Sequence, residues 1–183
     1  MLGLTILIVF LIFLVAVIFF FGFTSVFGAP WLPTSTSTVH KMLAMADIQP
    51  GDILYDLGSG DGRIIIMAAR EFHATSVGIE INPFWAVWTR VKVALLKLRG
   101  KVNVVWGNFF DQDLSDANLI TLYLLQDTNS KLMPKLGKEL KPGTRVISHE
   151  FTFDGWNPCK VDYEANIYMY RIAESNDVPK RTT

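Results

Sequence analysis

The sequence predicts an α/β fold: a mostly parallel sheet with helices on both faces, preceded by one apolar helix. Three features carry that reading. Short apolar runs alternate with helical patterns from Ile53 to Ser148, as repeated strand–helix units require. A glycine-rich segment, Gly58 to Gly62, stands at the junction of the first strand and its helix. All 34 charged side chains, 17 basic and 17 acidic, fall in the 143 residues from Lys41 onward, leaving the first forty residues uncharged. That is about 24% of the charged stretch, close to the roughly 25% of an ordinary soluble domain.

From Leu2 to Phe23 only Gly3, Thr5 and Gly22 interrupt Leu, Ile, Val, Phe and Ala. A run of about 20 apolar residues matches a hydrocarbon layer of roughly 30 Å. It lacks the basic start and the short apolar core, about 7 to 15 residues, of a cleaved signal peptide. Residues 1–23 are therefore expected to form a transmembrane anchor and to contact a lipid bilayer. Lys41 lies beyond the span and no basic residue precedes it, so a single-pass membrane protein with its C-terminal domain in the cytoplasm is expected. The lone Cys159 agrees with a reducing compartment.

Residues 24–36 read as a linker, with Trp31 suited to a lipid interface. Ser37 or Thr38 should cap a helix that ends by Pro50-Gly51. Ile53 to Leu57 reads as a strand, Arg63 to Phe72 as a helix, and Val77 to Glu80 as a second strand. Pro83 opens a helix to about Arg99, proline being suited to a first turn. Val102 to Trp106, Leu119 to Leu124 and Arg145 to Ser148 are further strands, with a helix from about Asn129 to Leu140 before the last. Asn166 to Ile172 alternates residue types and reads as an antiparallel strand, paired with Val161 to Glu164. The folded domain spans 37–174, and residues 175–183 are expected to fray.

Composition excludes some functions. A formal charge of zero argues against a protein held to nucleic acid by bulk positive charge, so no nucleic-acid partner is expected. One cysteine cannot make an internal disulfide, and no Cys/His set has zinc spacing.

Chemistry concentrates in Asp56-Leu57-Gly58-Ser59-Gly60-Asp61-Gly62. The glycines permit tight turning and close backbone approach to a ligand. The spacing is neither the dinucleotide G-x-G-x-x-G nor the phosphate-loop G-x-x-x-x-G-K-[ST], which weighs against a nicotinamide oxidoreductase. Two carboxylates repel a pyrophosphate and suit a ligand carrying an amino group and a sulfonium. Glu80, at the end of the second strand, suits hydrogen bonding to ribose hydroxyls.

The run D-x-G-x-G-x-G resembles motif I of class I S-adenosylmethionine-dependent methyltransferases. Together with W-L-P-T, G-I-E-I-N-P, L-Y-L-L and L-K-P-G-T-R-V-I-S-H, it resembles the small archaeal and mitochondrial-type protein-lysine methyltransferases. That resemblance implies a Rossmann-like seven-stranded sheet in the order 3-2-1-4-5-7-6 and S-adenosyl-L-methionine as cofactor. It also implies a protein partner offering an exposed lysine, and the apolar leader suggests a membrane-associated one. It places Pro33 and Thr34 over the cofactor and Gly58, Ser59, Gly60 and Gly62 along its methionine end. Asp56 and Asp61 would hold its amino group or shape the loop. Glu80, Ile81 and Asn82 fall at the ribose and adenine edge, and Asn108 and Phe109 stand where an acid usually meets the adenine amino group. Tyr123, Glu150 and Trp156, with His149 beside them, are the acceptor-side candidates. Tyr123 to Gln126 lacks the N-P-P-Y type motif of base methylation, and Gln126 replaces an expected proline. A small-molecule or lipid-like acceptor, and a non-catalytic tethered cofactor-binding module, are the alternative readings.

Overall fold

The computed structural model describes residues 2–26 and 32–173; in the first helix, side chains are described from Gly3 to Val15. The chain divides into two compact units, Met1–Leu32 and Pro33–Thr183. Trp31 and the tail from residue 175 lie outside the described residues.

The first unit holds α1 (Leu2–Val26). Here the transmembrane expectation is overturned. Among the described residues no helix is long and apolar enough to cross a membrane. The fold is thus the α/β sheet without a demonstrated spanning helix, and the single-pass, cytoplasm-facing placement falls with it.

The second unit runs α2 (Thr36–Met45), β1 (Ile53–Leu57), α3 (Arg63–Glu71), β2 (Thr75–Glu80), α4 (Pro83–Leu95), β3 (Val102–Trp106), β4 (Leu119–Leu122), α5 (Gln126–Glu139), β5 (Arg145–His149), β6 (Lys160–Asp162) and β7 (Ile167–Arg171). The sheet order is β3-β2-β1-β4-β5-β7-β6. β1 to β5 pair in parallel, while β7 lies antiparallel to both β5 and β6.

Local chemistry sets the helix ends. Ser35, rather than Ser37 or Thr38, caps α2: its hydroxyl accepts from the Thr38 N–H at 3.1 Å. Asn82 caps α4 by accepting from the Phe84 N–H at 2.9 Å, with Pro83 in the first turn. α4 stops at Leu95, short of Arg99, because Lys97 takes the left-handed conformation at φ +57°.

All four residues of β4 are buried, as expected of a central strand covered on both faces. One core cluster joins Val39, Met42 and Leu43 of α2 to Ile65 and Ala68 of α3 and Ile147 of β5. The other joins Leu132 and Leu136 of α5 to Ile120, Leu122, Val146 and Tyr170. Val146 and Ile147 therefore serve opposite faces, following the two-residue repeat of a strand. Parallel registry brings the carboxyl ends of β1, β2, β3, β4 and β5 to one edge of the sheet, where open α/β sheets bind ligands.

Candidate active site

The loop after β1 is fastened to its neighbours at nearly every residue. Gly58 and Ser59 N–H both donate to the Ile79 carbonyl, at 2.9 and 3.0 Å. Gly60 N–H donates to Glu80 Oε2 at 2.7 Å, and its carbonyl accepts from Thr89 Oγ1 at 2.9 Å. Gly62 N–H closes on the Ser59 carbonyl at 2.8 Å. These N–H groups are engaged within the protein, so the loop offers a ligand close approach rather than a row of free donors. Gly58, Gly60 and Gly62 all take positive φ. At Gly62 a side chain is also excluded by space, since a Cβ would lie 2.3 Å from Thr89 Cγ2. Gly78 plays the matching part on β2, where a Cβ would meet Ser59 Oγ and Ile65 Cδ1, each at 2.7 Å.

The carboxylates differ in environment. Asp56 is 3% exposed and accepts from Thr121 Oγ1 at 2.9 Å. Burial drives its pKa up to about 7; the Thr121 hydrogen bond opposes this, and the Glu80 and Asp61 charges add to it. Burial also pushes Asp61 up, but the Arg63 hydrogen bond and the Lys92 and Arg63 charges outweigh it and hold the group below its ordinary value. Glu80 is raised by burial, against hydrogen bonds from the Asn82, Gly60 and Ile81 N–H groups. Its two oxygens divide their work, Oε2 on Gly60 and Oε1 on the Asn82 N–H at 2.8 Å. Each keeps lone-pair capacity for a further donor.

The remaining predicted residues take definite places. Thr34 is buried and Pro33 exposed, and the Thr34 carbonyl accepts from Arg63 Nη1. The Ile81 carbonyl accepts from Trp106 Nε1 at 3.1 Å, across the β2–β3 pair. Asn108 Oδ1 accepts from the Phe110 N–H at 3.1 Å and so caps a short 3-10 turn, while Phe109 lies against Phe110 with ring centroids 4.8 Å apart.

On the acceptor side, Tyr123 follows β4 and packs on His149 at the end of β5, ring centroids 4.4 Å apart. Glu150, at φ +68°, places Oε1 3.6 Å from His149 Nε2 and accepts from Asn166 Nδ2 at 3.1 Å. Burial and then the Glu150 charge raise the Tyr123 phenol. Burial lowers His149 despite the opposing Glu150 charge. Trp156 has its ring contacts with Phe153 and Tyr170, at 5.1 and 5.9 Å, within an aromatic cluster of the core. Sequence reasoning missed Arg63, Thr89, Lys92 and Thr121. Of these only Arg63 directly follows the glycine motif.

The fold and this edge define a class I S-adenosylmethionine-dependent methyltransferase, and comparison with known proteins agrees. Residues 56–160 match the family model described as the ANTKMT methyltransferase domain. The chain belongs to that family. A "Protein-lysine N-methyltransferase" of Saccharolobus islandicus (strain REY15A) is 45% identical over 157 residues, 79% of this chain and 94% of that protein. An "Adenine nucleotide translocase lysine N-methyltransferase" of Mus musculus is 29% identical over 132 residues, 72% of this chain but 57% of that protein, so this chain spans little more than half of it. Among solved structures, an "RNA methyltransferase from Salinibacter ruber in complex with S-Adenosyl-L-homocysteine" superimposes with TM-score 0.78 at 42% identity, covering 81% of this chain and 97% of that one. The residues here fit such a ligand: Ser59 Oγ is buried with no hydrogen-bond partner among the described residues, beside glycines at positive φ and the Glu80 carboxylate.

Proposed function

We propose that this chain transfers methyl groups to lysine side chains of proteins. The observation that carries the reading is the Tyr123–His149 pair with Glu150, at the carboxyl ends of β4 and β5 on the same sheet edge as the glycine loop. The names of the Saccharolobus and mouse relatives support it.

Gly58, Ser59, Gly60 and Gly62 would wall the methionine end of the cofactor, and Asp56 would hold its amino group. Asp61, paired with two cations, shapes the loop. Glu80 would receive the ribose hydroxyls. Ile81, Asn82, Asn108 and Phe109 would border the adenine, and Pro33 and Thr34 would close the cleft. When bound, the cofactor supplies a methyl carbon activated by a cationic sulfur. The chain's own task is then alignment, since in-line displacement needs no covalent intermediate. A lysine amine, with a reference pKa near 10.4, must arrive neutral, and desolvation favours that form. Tyr123, its phenol pKa raised by burial, would offer its ring to the methylated ammonium once formed. Burial lowers the His149 pKa and so disfavours a competing cation there. Tyr123 and Glu150 line the acceptor channel, whereas Trp156 supports it through the Phe153–Tyr170 cluster.

The test is incubation of the purified chain with S-adenosylmethionine and a cell extract, followed by tandem mass spectrometry of lysine methylation. New methyl-lysine that disappears in Tyr123→Ala supports the reading. Because the Salinibacter neighbour is named an RNA methyltransferase, RNA from the same extract is assayed in parallel. Methyl label in RNA and none on lysine would replace the reading.

A further inference from the structure

We propose that Arg63 is a positioning residue for the cofactor, joining the glycine loop and the Pro33–Thr34 strap into one wall of the cleft. The inference rests on the cofactor site described above.

One guanidinium grips its own loop and reaches back 29 residues to the strap. Nε and Nη2 grip the Asp61 carboxylate at 2.9 and 3.1 Å, a fork-to-fork arrangement, and Nη1 donates to the Thr34 carbonyl. Lys92 of α4 reinforces the same point, donating to the Asp61 carbonyl at 2.6 Å and lying 3.4 Å from its carboxylate. Arg63, Asp61 and Lys92 are 30%, 19% and 30% exposed as side chains, so solvent screens the cluster only in part. The strap enters α2 directly, with Thr34 buried at its end. Thr34 precedes the Ser35 cap, and that cap's hydroxyl is occupied with Ser37 and Thr38.

Lysine could keep the charge but not the geometry, because one ammonium on a flexible stem cannot fork across a carboxylate and reach a carbonyl on another segment. Charge and position are therefore separable by mutation. The experiment compares the wild-type chain, Arg63→Gln and Arg63→Lys. S-adenosyl-L-homocysteine affinity is measured by titration calorimetry, and amide hydrogen exchange of the unliganded chains by mass spectrometry.

For both variants the dissociation constant should rise, by about tenfold for Arg63→Gln and by less for Arg63→Lys. The KM for S-adenosylmethionine should rise in parallel, with kcat at saturating cofactor within about twofold of wild type. Exchange should accelerate at residues 34 to 39 and stay unchanged in β4 and β5. Wild-type affinity in Arg63→Lys would overturn the proposal, even if Arg63→Gln failed to fold. Weakened affinity with unchanged exchange at residues 34 to 39 would also overturn it, by assigning the effect to charge alone. A wild-type chain that takes up no S-adenosyl-L-homocysteine would overturn the cofactor reading itself, and this inference with it.

Discussion

A methyl group on Gly62 would collide with Thr89 Cγ2, and the backbone at φ +77° already disfavours a side chain. Gly62→Ala is expected to cost about 2–4 kcal/mol in denaturant unfolding, from backbone strain and overpacking together. Adding Thr89→Ser removes the obstructing methyl and keeps the hydroxyl that bonds Gly60, so the double variant should recover part of the loss. Asp56 gives a pH signature. Its folded-state pKa of about 7 lies above the ordinary carboxylate value, so between the two the folded chain holds a proton that the unfolded chain has released. The stability this group contributes is full at the acid end and is lost as pH rises toward 7. In the unliganded chain Asp56→Asn should flatten that decline, measured as denaturation midpoint against pH. At this scale the acids and glycines were legible because their spacing is local. The Thr89 and Lys92 contacts were not, because 29 and 31 residues separate them from their loop partners, and where α4 returns is a tertiary outcome.

Elements that the periodicity located best are those with a sharp chemical boundary. β1 and β3 have the predicted limits, set by glycine-containing turns at their ends. α4 runs short at the left-handed Lys97, α2 begins earlier because Ser35 rather than Ser37 or Thr38 caps it, and α5 begins earlier at Gln126 with no side-chain cap to announce it. The 3-10 turn at Phe109–Asp111 escaped notice because three residues carry no period. One cross-element bond has a measurable role: the buried Phe153 N–H donates to Tyr170 Oη of β7 at 3.2 Å, tying the segment after β5 to the antiparallel part of the sheet. Tyr170→Phe leaves that N–H unpaired in the core. A loss of about 1–3 kcal/mol is expected, read from urea midpoints.

For the whole molecule, alternation of strand and helix indicated a parallel sheet but not which strand neighbours which; the order came from family resemblance. The observed order agrees with it. The apolar leader was legible as composition, while spanning is a property of a whole helix, and no described helix meets it. Ligand linkage is the global test of the site. At a hundred times its dissociation constant, S-adenosyl-L-homocysteine should add about 2.7 kcal/mol to stability, raising the melting temperature by about 5–10 °C for a domain of this size. Glu80→Gln weakens the ribose acceptor while keeping one oxygen for the loop, and should remove most of that shift in a thermal scan.

The seating of β7 between β5 and β6 has a consequence for biosynthesis. A nascent polypeptide emerges in order, so the outer hydrogen-bonding edge of β5 must wait until Arg171 has cleared the ribosome. Premature termination before Ile167 would strand that edge together with the aromatic cluster it borders. Such fragments are expected to be chaperone clients or aggregates rather than partly active enzyme.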